Sequence, residues 1–386
     1  MRSLLTLALA LGLCGLAGAL DDKKTDDKKL EEKKAEEKPS VADQIKAIEK
    51  EFQETANDLG KQFQAAKTDE EKAALREKFF ALQPKVAEKA LAIAEANLKD
   101  PAAIDAALLA LKMGGPSPVG TKAGELIGAN FADSPKLKPL IPSLGRSAGG
   151  QKLLKVIHEK ATDKDVKGAT LYYIASGMLE EADYPRGGPP VPADKQAAAF
   201  KEAGEMLAKV SKEYGDVQIG GRRGEKETLA KAVENQLFFL NNLTVGKVLP
   251  DSVCEDLDGK KVKISDYRGK VVVLDIWATW CGPCRAMIPH ERELVKNLKD
   301  KPFVFISLSA DDEKDTLVKF IEKEPMPWTH WWNGGAKGGP VADYKVQFFP
   351  TVYVLDEKGV IRFKHVREKA MDEAIDVLLK EIKPKG

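Results

Sequence analysis

Cysteine and histidine are both scarce, with four of each in 386 residues. A disulfide-stapled scaffold needs many more cysteines than that. The four histidines are scattered, and there is no second cysteine pair. A four-ligand zinc site therefore lacks ligands, and no metal site is expected. Net charge is lacking too, since 61 basic and 60 acidic residues leave only +1. That balance provides no electrostatic footprint for nucleic acid. After the first twenty residues no stretch is apolar for long enough to span a bilayer. No nicotinamide or flavin fingerprint appears, so no cofactor is expected. What the chain does have is a 43% hydrophobic content and the length for two or three domains.

Residues 1–19 read as an export signal. Arg2 supplies the positive start, Leu4 to Leu16 is an apolar stretch, and Ala17-Gly18-Ala19 fits a cleavage site after Ala19. An uncleaved membrane anchor and a lipoprotein acylated at Cys14 are alternatives. Leu13, bulky where lipoprotein processing wants a small residue, argues against the second. Residues 20–39 form a charged low-complexity linker whose repeat, over residues 21–38, starts at Asp21 as Asp-Asp-Lys-Lys-Thr-Asp-Asp-Lys-Lys-Leu. Its five-residue period makes no apolar stripe, so it reads as a solvated tether, either a spacer from a membrane or a disordered terminus. Fully extended it would reach roughly 60 Å at ~3.3 Å per residue. Export places the chain in a disulfide-permissive compartment, periplasmic or otherwise outside the cytosol.

Residues 40–245 are helical in pattern. Val41, Ile45, Ile48, Phe52, Ala56, Leu59 and Phe63 recur at helical spacing. Thr68 with Glu71 is a capping box. Asp100-Pro101 and Ser134-Pro135 read as N-caps followed by first-turn prolines. Further helices are expected over 151–160, 165–182, 193–214 and 225–241, with loops at Gly114–Pro116 and Gly187–Pro190. The result is an all-α helical array of unknown role. His158 and Tyr172-Tyr173 lie on its helices as packing or surface residues rather than a site.

The pattern changes near Val245. Strands are expected at Lys261–Ile264, Lys270–Trp277 and Phe303–Ser309. A hairpin follows, Thr351–Leu355 with Val360–Lys364 across Asp356–Gly359. Helices are expected from Cys281, over Glu313–Glu324 and over Lys369–Ile382. Trp328, Trp331 and Trp332 are placed in a loop, bordering a groove or packing on the sheet. A β-α-β half followed by a β-β-α half makes residues 246–386 an α/β domain of thioredoxin arrangement.

Cys281 and Cys284 lie in Trp-Cys-Gly-Pro-Cys. Arg285 stands where haem attachment needs histidine. The motif follows a buried-type strand and opens a helix, where unpaired N–H groups and the macrodipole favour a thiolate. Cys281 is thus the expected nucleophile and Cys284 the resolving residue. Gly282 and Pro283 suit the tight first turn. Cys254 is the odd cysteine, read as a small packed hydrophobe.

Val272 to Cys284, Val-Val-Leu-Asp-Ile-Trp-Ala-Thr-Trp-Cys-Gly-Pro-Cys, closely resembles the thioredoxin superfamily. With Gly259-Lys260 and Asp266–Lys270 before it, the segment over residues 246–383 resembles the exported TlpA-like disulfide reductases. The resemblance implies that Asp275 is a buried acid serving Cys284. It also implies that Phe349-Pro350 is a cis-proline loop beside a redox-active Cys281–Cys284 disulfide, with Trp280 bordering the docking surface and Trp277 below. Pro289 is expected to kink the helix. Some relatives carry a tuning glutamate soon after the second cysteine; Arg285 to Pro289 has none, so Asp275 would do the proton work alone.

These readings predict a protein-disulfide reductase acting on disulfide-containing exported proteins. Gly-Pro between the cysteines is the context of reducing thioredoxins, near roughly −270 mV, rather than of strong oxidants near about −120 mV. The resemblance implies a membrane thiol donor, and the N-terminus offers a membrane tether. One alternative is a helical binding or scaffold protein with a regulatory redox domain. A thiol peroxidase is the other. It needs a threonine shortly before its cysteine and a proline further upstream, whereas only Trp280 separates Thr279 from Cys281 and Ile276 stands upstream.

Overall fold

The structure, a computed structural model, describes residues 39–145, 148–185, 191–220 and 226–382. The export-signal segment, Cys14, the tether up to residue 38 and the Gly187–Pro190 loop lie outside the described residues. The chain divides into two compact units between Tyr173 and Ile174. Among the described residues no helix is long and apolar enough to cross a membrane.

The first unit is built from helices α1 (Val41–Ala65), α2 (Asp69–Ala96), α3 (Ala103–Gly114), α4 (Pro118–Asn130), α5 (Ile141–Leu144) and α6 (Ala148–Lys160), and from the start of α7 (Lys164–Asp183). Neighbouring helices in sequence pack together, α1 on α2 and α2 on α3. The Thr68–Glu71 capping box forms in full. Asp100 accepts from the Ala102 amide, and the next helix starts at Ala103. Ser134 precedes only a three-residue 3-10 turn and makes no cap bond. The core is rich in alanine, with Ala87, Ala90, Ala94, Ala106, Ala107 and Ala110 fully buried, so the helix backbones approach closely.

The second unit starts with the rest of α7, then α8 (Ala193–Tyr214), a small hairpin of β1 (Gln218–Gly220) and β2 (Lys226–Thr228), and α9 (Leu229–Asn242). The change of sequence pattern at residue 245 is therefore not the packing boundary. Phe238 and Phe239 of α9 pack against the core of the sheet domain, and Lys364 sits 4.7 Å over the Phe239 ring. At the end of α7, Asp183 accepts from Lys364 Nζ at 2.6 Å and from His365 Nε2 at 3.2 Å. Burial opposes charge on Asp183, but the His365 hydrogen bond and the Lys364 charge win and hold its carboxyl below the usual range.

The sheet strands are β3 (Cys254–Asp256), β4 (Lys261–Val262), β5 (Val271–Trp277), β6 (Phe303–Ser309), β7 (Thr329–Trp332), β8 (Thr351–Leu355) and β9 (Ile361–Lys364). Their order is β4-β3-β7-β6-β5-β8-β9. Strand β5 runs parallel to β6 and antiparallel to β8. Helices α10 (Gly282–Asn297), α11 (Lys314–Lys323), α12 (Gly339–Asp343) and α13 (Glu368–Glu381) complete the unit. Strand β5 is buried along its whole length, as expected for a central strand covered on both faces. The β8–β9 turn is shaped by Asp356, whose carboxylate accepts from the Lys358 and Val360 amides. Gly359 holds φ +75° there, and a Cβ would strike Arg268. The mixed sheet with helices is the α/β thioredoxin-like arrangement, preceded by the helical array.

Two of the strands differ from expectation. Trp331 and Trp332 are not in a loop: they form β7, which pairs with β6 and β3, and Trp331 is fully buried. Cys254 itself begins β3, opposite Val262.

Candidate functional site

Strand β5 ends at Trp277, and three residues carry the chain to Cys281, the N-cap of α10. Cys281 and Cys284 are joined by a disulfide with Cα atoms 5.3 Å apart. The Cys284 amide donates to Cys281 Sγ at 3.2 Å. This is the bond that an N-cap oxygen usually accepts, so the first cysteine occupies the position where free helix N–H groups converge. Gly282 and Pro283, both exposed, fill the first turn, where proline sacrifices no hydrogen bond. Both sulfur-bearing residues are largely covered, Cys284 more than Cys281.

The turn before Cys281 is clamped by a residue that sequence reasoning missed. Buried Asp311, just after β6, accepts from the Thr279 amide and from Thr279 Oγ1 at 2.7 Å. Ser309 Oγ donates to it at 2.7 Å, and its own carbonyl accepts from Trp332 Nε1. Carboxylates that accept several such bonds fix their donors in place. The only sequence signal is an acid at the end of a strongly apolar strand.

Trp280 is 65% exposed and its ring meets the half-buried Phe349 ring edge-on at 5.6 Å. The Phe349–Pro350 bond is cis, and Pro350 is buried at the head of β8. Trp277, by contrast, is buried against Phe320. Trp280, Gly282 and Pro283 thus flank Cys281 in the chain, and Phe349 meets Trp280 and packs in the core cluster that holds both cysteines, with Pro350 next to it in sequence. An exposed tryptophan beside a sulfur pair gives an apolar rim on which a polypeptide can rest.

Asp275 lies in the middle of β5, 4% exposed, with Oδ1 lacking any hydrogen-bond partner. Burial pushes its carboxyl up to about 7, and the Arg367 charge pulls the other way. The stretch Arg285 to Pro289 holds no acid, but one lies two residues further on. Glu291 is 1% exposed, its Oε1 is also without a partner, and burial followed by the charge of Asp275 pushes it up to about 9. Asp275 therefore does not stand alone. Next to it in register are Ser307 on β6 and, beyond, His330 on β7. His330 Nε2–H donates to the Met326 carbonyl, so Nδ1 accepts from Ser307 Oγ at 2.7 Å. Burial holds this imidazole neutral.

Cys254 takes no part in this cluster. Burial pushes its thiol up to about 12, so it stays protonated and unreactive. Among the described residues no group of three or more His, Cys, Asp or Glu side chains is placed to hold a metal ion.

Comparison with known proteins covers the same region. A sequence profile of the AhpC/TSA family matches residues 245–364. The thiol-disulfide oxidoreductase ResA of Bacillus cereus is 30% identical over 151 residues, which span 39% of this chain and 86% of that protein. The thioredoxin-like protein YneN of Bacillus subtilis is 35% identical over 137 residues, 34% of this chain and 79% of its own length. Among solved structures, a putative thiol:disulfide interchange protein DsbE from Chlorobium tepidum is 31% identical, with a TM-score of 0.33 over 35% of this chain and 97% of that one.

Proposed function

We propose, for a chain that belongs through its C-terminal region to the family of ResA-like thiol–disulfide oxidoreductases, that the reaction is reduction of disulfides in exported proteins. One observation carries this reading: Cys281 caps α10, with its sulfur on the Cys284 amide and Cys284 one turn deeper. In the dithiol state the helix N-terminus favours thiolate at Cys281, which attacks the substrate disulfide. A mixed disulfide forms and one substrate thiolate leaves. Cys284 loses its proton towards Asp275, attacks the Cys281 sulfur and expels the second thiolate. The enzyme ends with the Cys281–Cys284 disulfide, and two electrons have passed to the substrate.

The substrate docks as an extended segment on Trp280, Gly282, Pro283 and the Phe349-Pro350 loop. Residues 1–19 direct export to a periplasmic or similar compartment, and the N-terminus with the 20–39 linker can tether the domain to the membrane. The resemblance to exported disulfide reductases implies a membrane thiol donor, which recharges the pair. The AhpC/TSA match raises hydrogen peroxide reduction as a second reading, but Thr279 Oγ1 is committed to Asp311 at 2.7 Å and Trp280 intervenes before Cys281. Turnover of hydrogen peroxide by the purified protein would revive it.

The test is a Cys284→Ser variant expressed in the native host. A long-lived mixed disulfide through Cys281 with exported proteins is expected, and mass spectrometry identifies the partners. Adducts through Cys254 alone would overturn the assignment.

A further inference from the structure

Helix α10 buries Cys284, Met287, Ile288, Glu291 and Leu294. These positions follow steps of three and four, so they form one stripe against the sheet. Such a stripe is normally apolar throughout, and Glu291 interrupts it. Seven residues separate Cys284 from Glu291, which is two turns, or roughly 10 Å along the helix on the same face. Met287 and Leu294, one turn to either side of Glu291, pack in one cluster with Val271 and Val273, the face of β5 that Asp275 shares, and the Asp275 charge adds to burial in raising the Glu291 carboxyl. Each has one oxygen with no hydrogen-bond partner and almost no exposure.

The surrounding groups do not neutralise the pair. Arg367, at the N-cap of α13, acts on Asp275 from a distance. His330 is neutral and bonded to Ser307 and Met326. His290, beside Glu291 on α10, is paired with Asp372 of α13. Arg292 is engaged by Glu324 and the Pro325 carbonyl. Two ionised carboxylates in one dry site repel, so they retain a proton between them.

We propose that Glu291 is a positioning residue for thiol–disulfide exchange: it makes Asp275 one half of a proton-sharing carboxyl pair that receives the Cys284 proton during resolution and returns it on reduction. This rests on the dithiol reading above. The pair holds one proton when Cys284 is a thiol. Cys284–SH passes its proton to the ionised carboxylate, and the resulting thiolate attacks Cys281 Sγ. The bond from Cys281 to the substrate sulfur breaks, and that sulfur leaves as thiolate and is protonated by water. The pair, now holding two protons, releases one to solvent. Burial gives Asp275 its raised basicity, and Glu291 adds a second buried carboxyl that shares the proton, so the pair accepts from a thiol as an isolated carboxylate in water does not.

The experiment measures, in single turnover, the decay of a preformed mixed disulfide between Cys281 and a small thiol over pH 5 to 10. It compares wild type, Glu291→Gln, Glu291→Met, Asp275→Asn and the Asp275→Asn/Glu291→Gln double variant. Glu291→Gln is expected to slow decay about tenfold near pH 7 and to remove the upper inflection of the pH profile. Glu291→Met, which restores an apolar stripe, should do the same even if the amide impairs folding. Because Glu291 acts through Asp275, the double variant should match Asp275→Asn alone. An unchanged profile in both Glu291 variants, or effects that multiply in the double variant, would overturn the proposal. Failure of the wild type to form any mixed disulfide at Cys281 would instead overturn the dithiol reading, so the two failures are distinguishable.

Discussion

Replacing Glu291 with leucine should stabilise the C-terminal domain, and by more as pH rises. Glu291 is 1% exposed among Met287, Ile288 and Leu294, and its carboxyl is pushed up to about 9 from 4.5. The unfolded chain releases this proton near the ordinary value, whereas the folded chain keeps it. Between those two values the folded state binds more protons, so stability falls as pH rises. At pH 7 the gap of roughly 2.5 units corresponds to about 3 kcal/mol, at 1.36 kcal/mol per unit. Leucine removes that cost and fills the stripe. At pH 4.5, where the folded carboxyl is protonated and the unfolded one is half protonated, only about 0.4 kcal/mol of that cost should remain beside the small difference between a neutral carboxyl and an isobutyl group. The assay is urea unfolding followed by tryptophan fluorescence, since all five tryptophans lie between residues 277 and 332 and report on this domain alone. The midpoint of the variant should exceed that of wild type by a margin that widens from pH 4.5 to pH 8. An equal gain at both pH values would refute the reasoning, because the benefit would then come from packing rather than from proton binding. A loss at pH 8 would show that Glu291 has a partner that compensates its burial.

The remaining expectations concern the clamps around the site. Asp311→Ala leaves the Thr279 amide and hydroxyl and Ser309 Oγ without their acceptor, so it should cost about 3 kcal/mol by urea unfolding and slow alkylation of reduced Cys281. Asp183→Ala strands the buried Lys364 cation and should destabilise by about 3–5 kcal/mol; in wild type this contribution fades on acidification as Asp183 is protonated, visible as a falling unfolding midpoint below about pH 4. Trp280→Ala should leave stability within about 0.5 kcal/mol yet lower kcat/KM for protein disulfides far more than for a small disulfide, because Trp280 is 65% exposed and its ring meets Phe349 only edge-on. Cys254→Ala should leave reactivity with alkylating agents at Cys281 unchanged.

Strands that carry their own hydrophobic signal were legible in the sequence. The predicted Phe303–Ser309 and Thr351–Leu355 match β6 and β8 to the residue, and β5 differs by one. The strands that were missed owe their existence to pairing. Strand β3 is Cys-Glu-Asp, which has no strand propensity of its own and is held between β4 and β7. Strand β7 is four residues following Pro325 and Pro327, and its tryptophans read as a loop cluster until β6 fixes them in register. The unit boundary was hidden for a similar reason. Periodicity distinguishes a helix from a strand, but it does not say which core a helix joins, and Phe239 and Asp183 commit the later helices to the sheet.

The site shows the same division between local and non-local information. The cysteine pair and its helix N-terminus are encoded in five consecutive residues, so they could be read directly. Asp275 was readable because an acid inside Val271–Trp277 has nowhere to go but the interior. Glu291 satisfied the same criterion, since it falls seven residues after Cys284 on the buried stripe of an amphipathic helix. The resemblance points only to Arg285–Pro289 for such an acid, and Glu291 lies two residues beyond that stretch. A carboxyl at an apolar-stripe position carries a desolvation cost of the size worked out above, and folding tolerates it only with that cost unrelieved, as the unpartnered Oε1 attests. Selection for stability alone would place leucine there. A glutamate on the buried stripe of the redox helix, packed over the face of β5 that carries Asp275, is therefore better explained by proton chemistry than by packing, and the pH dependence of resolution is the quantity in which that difference appears.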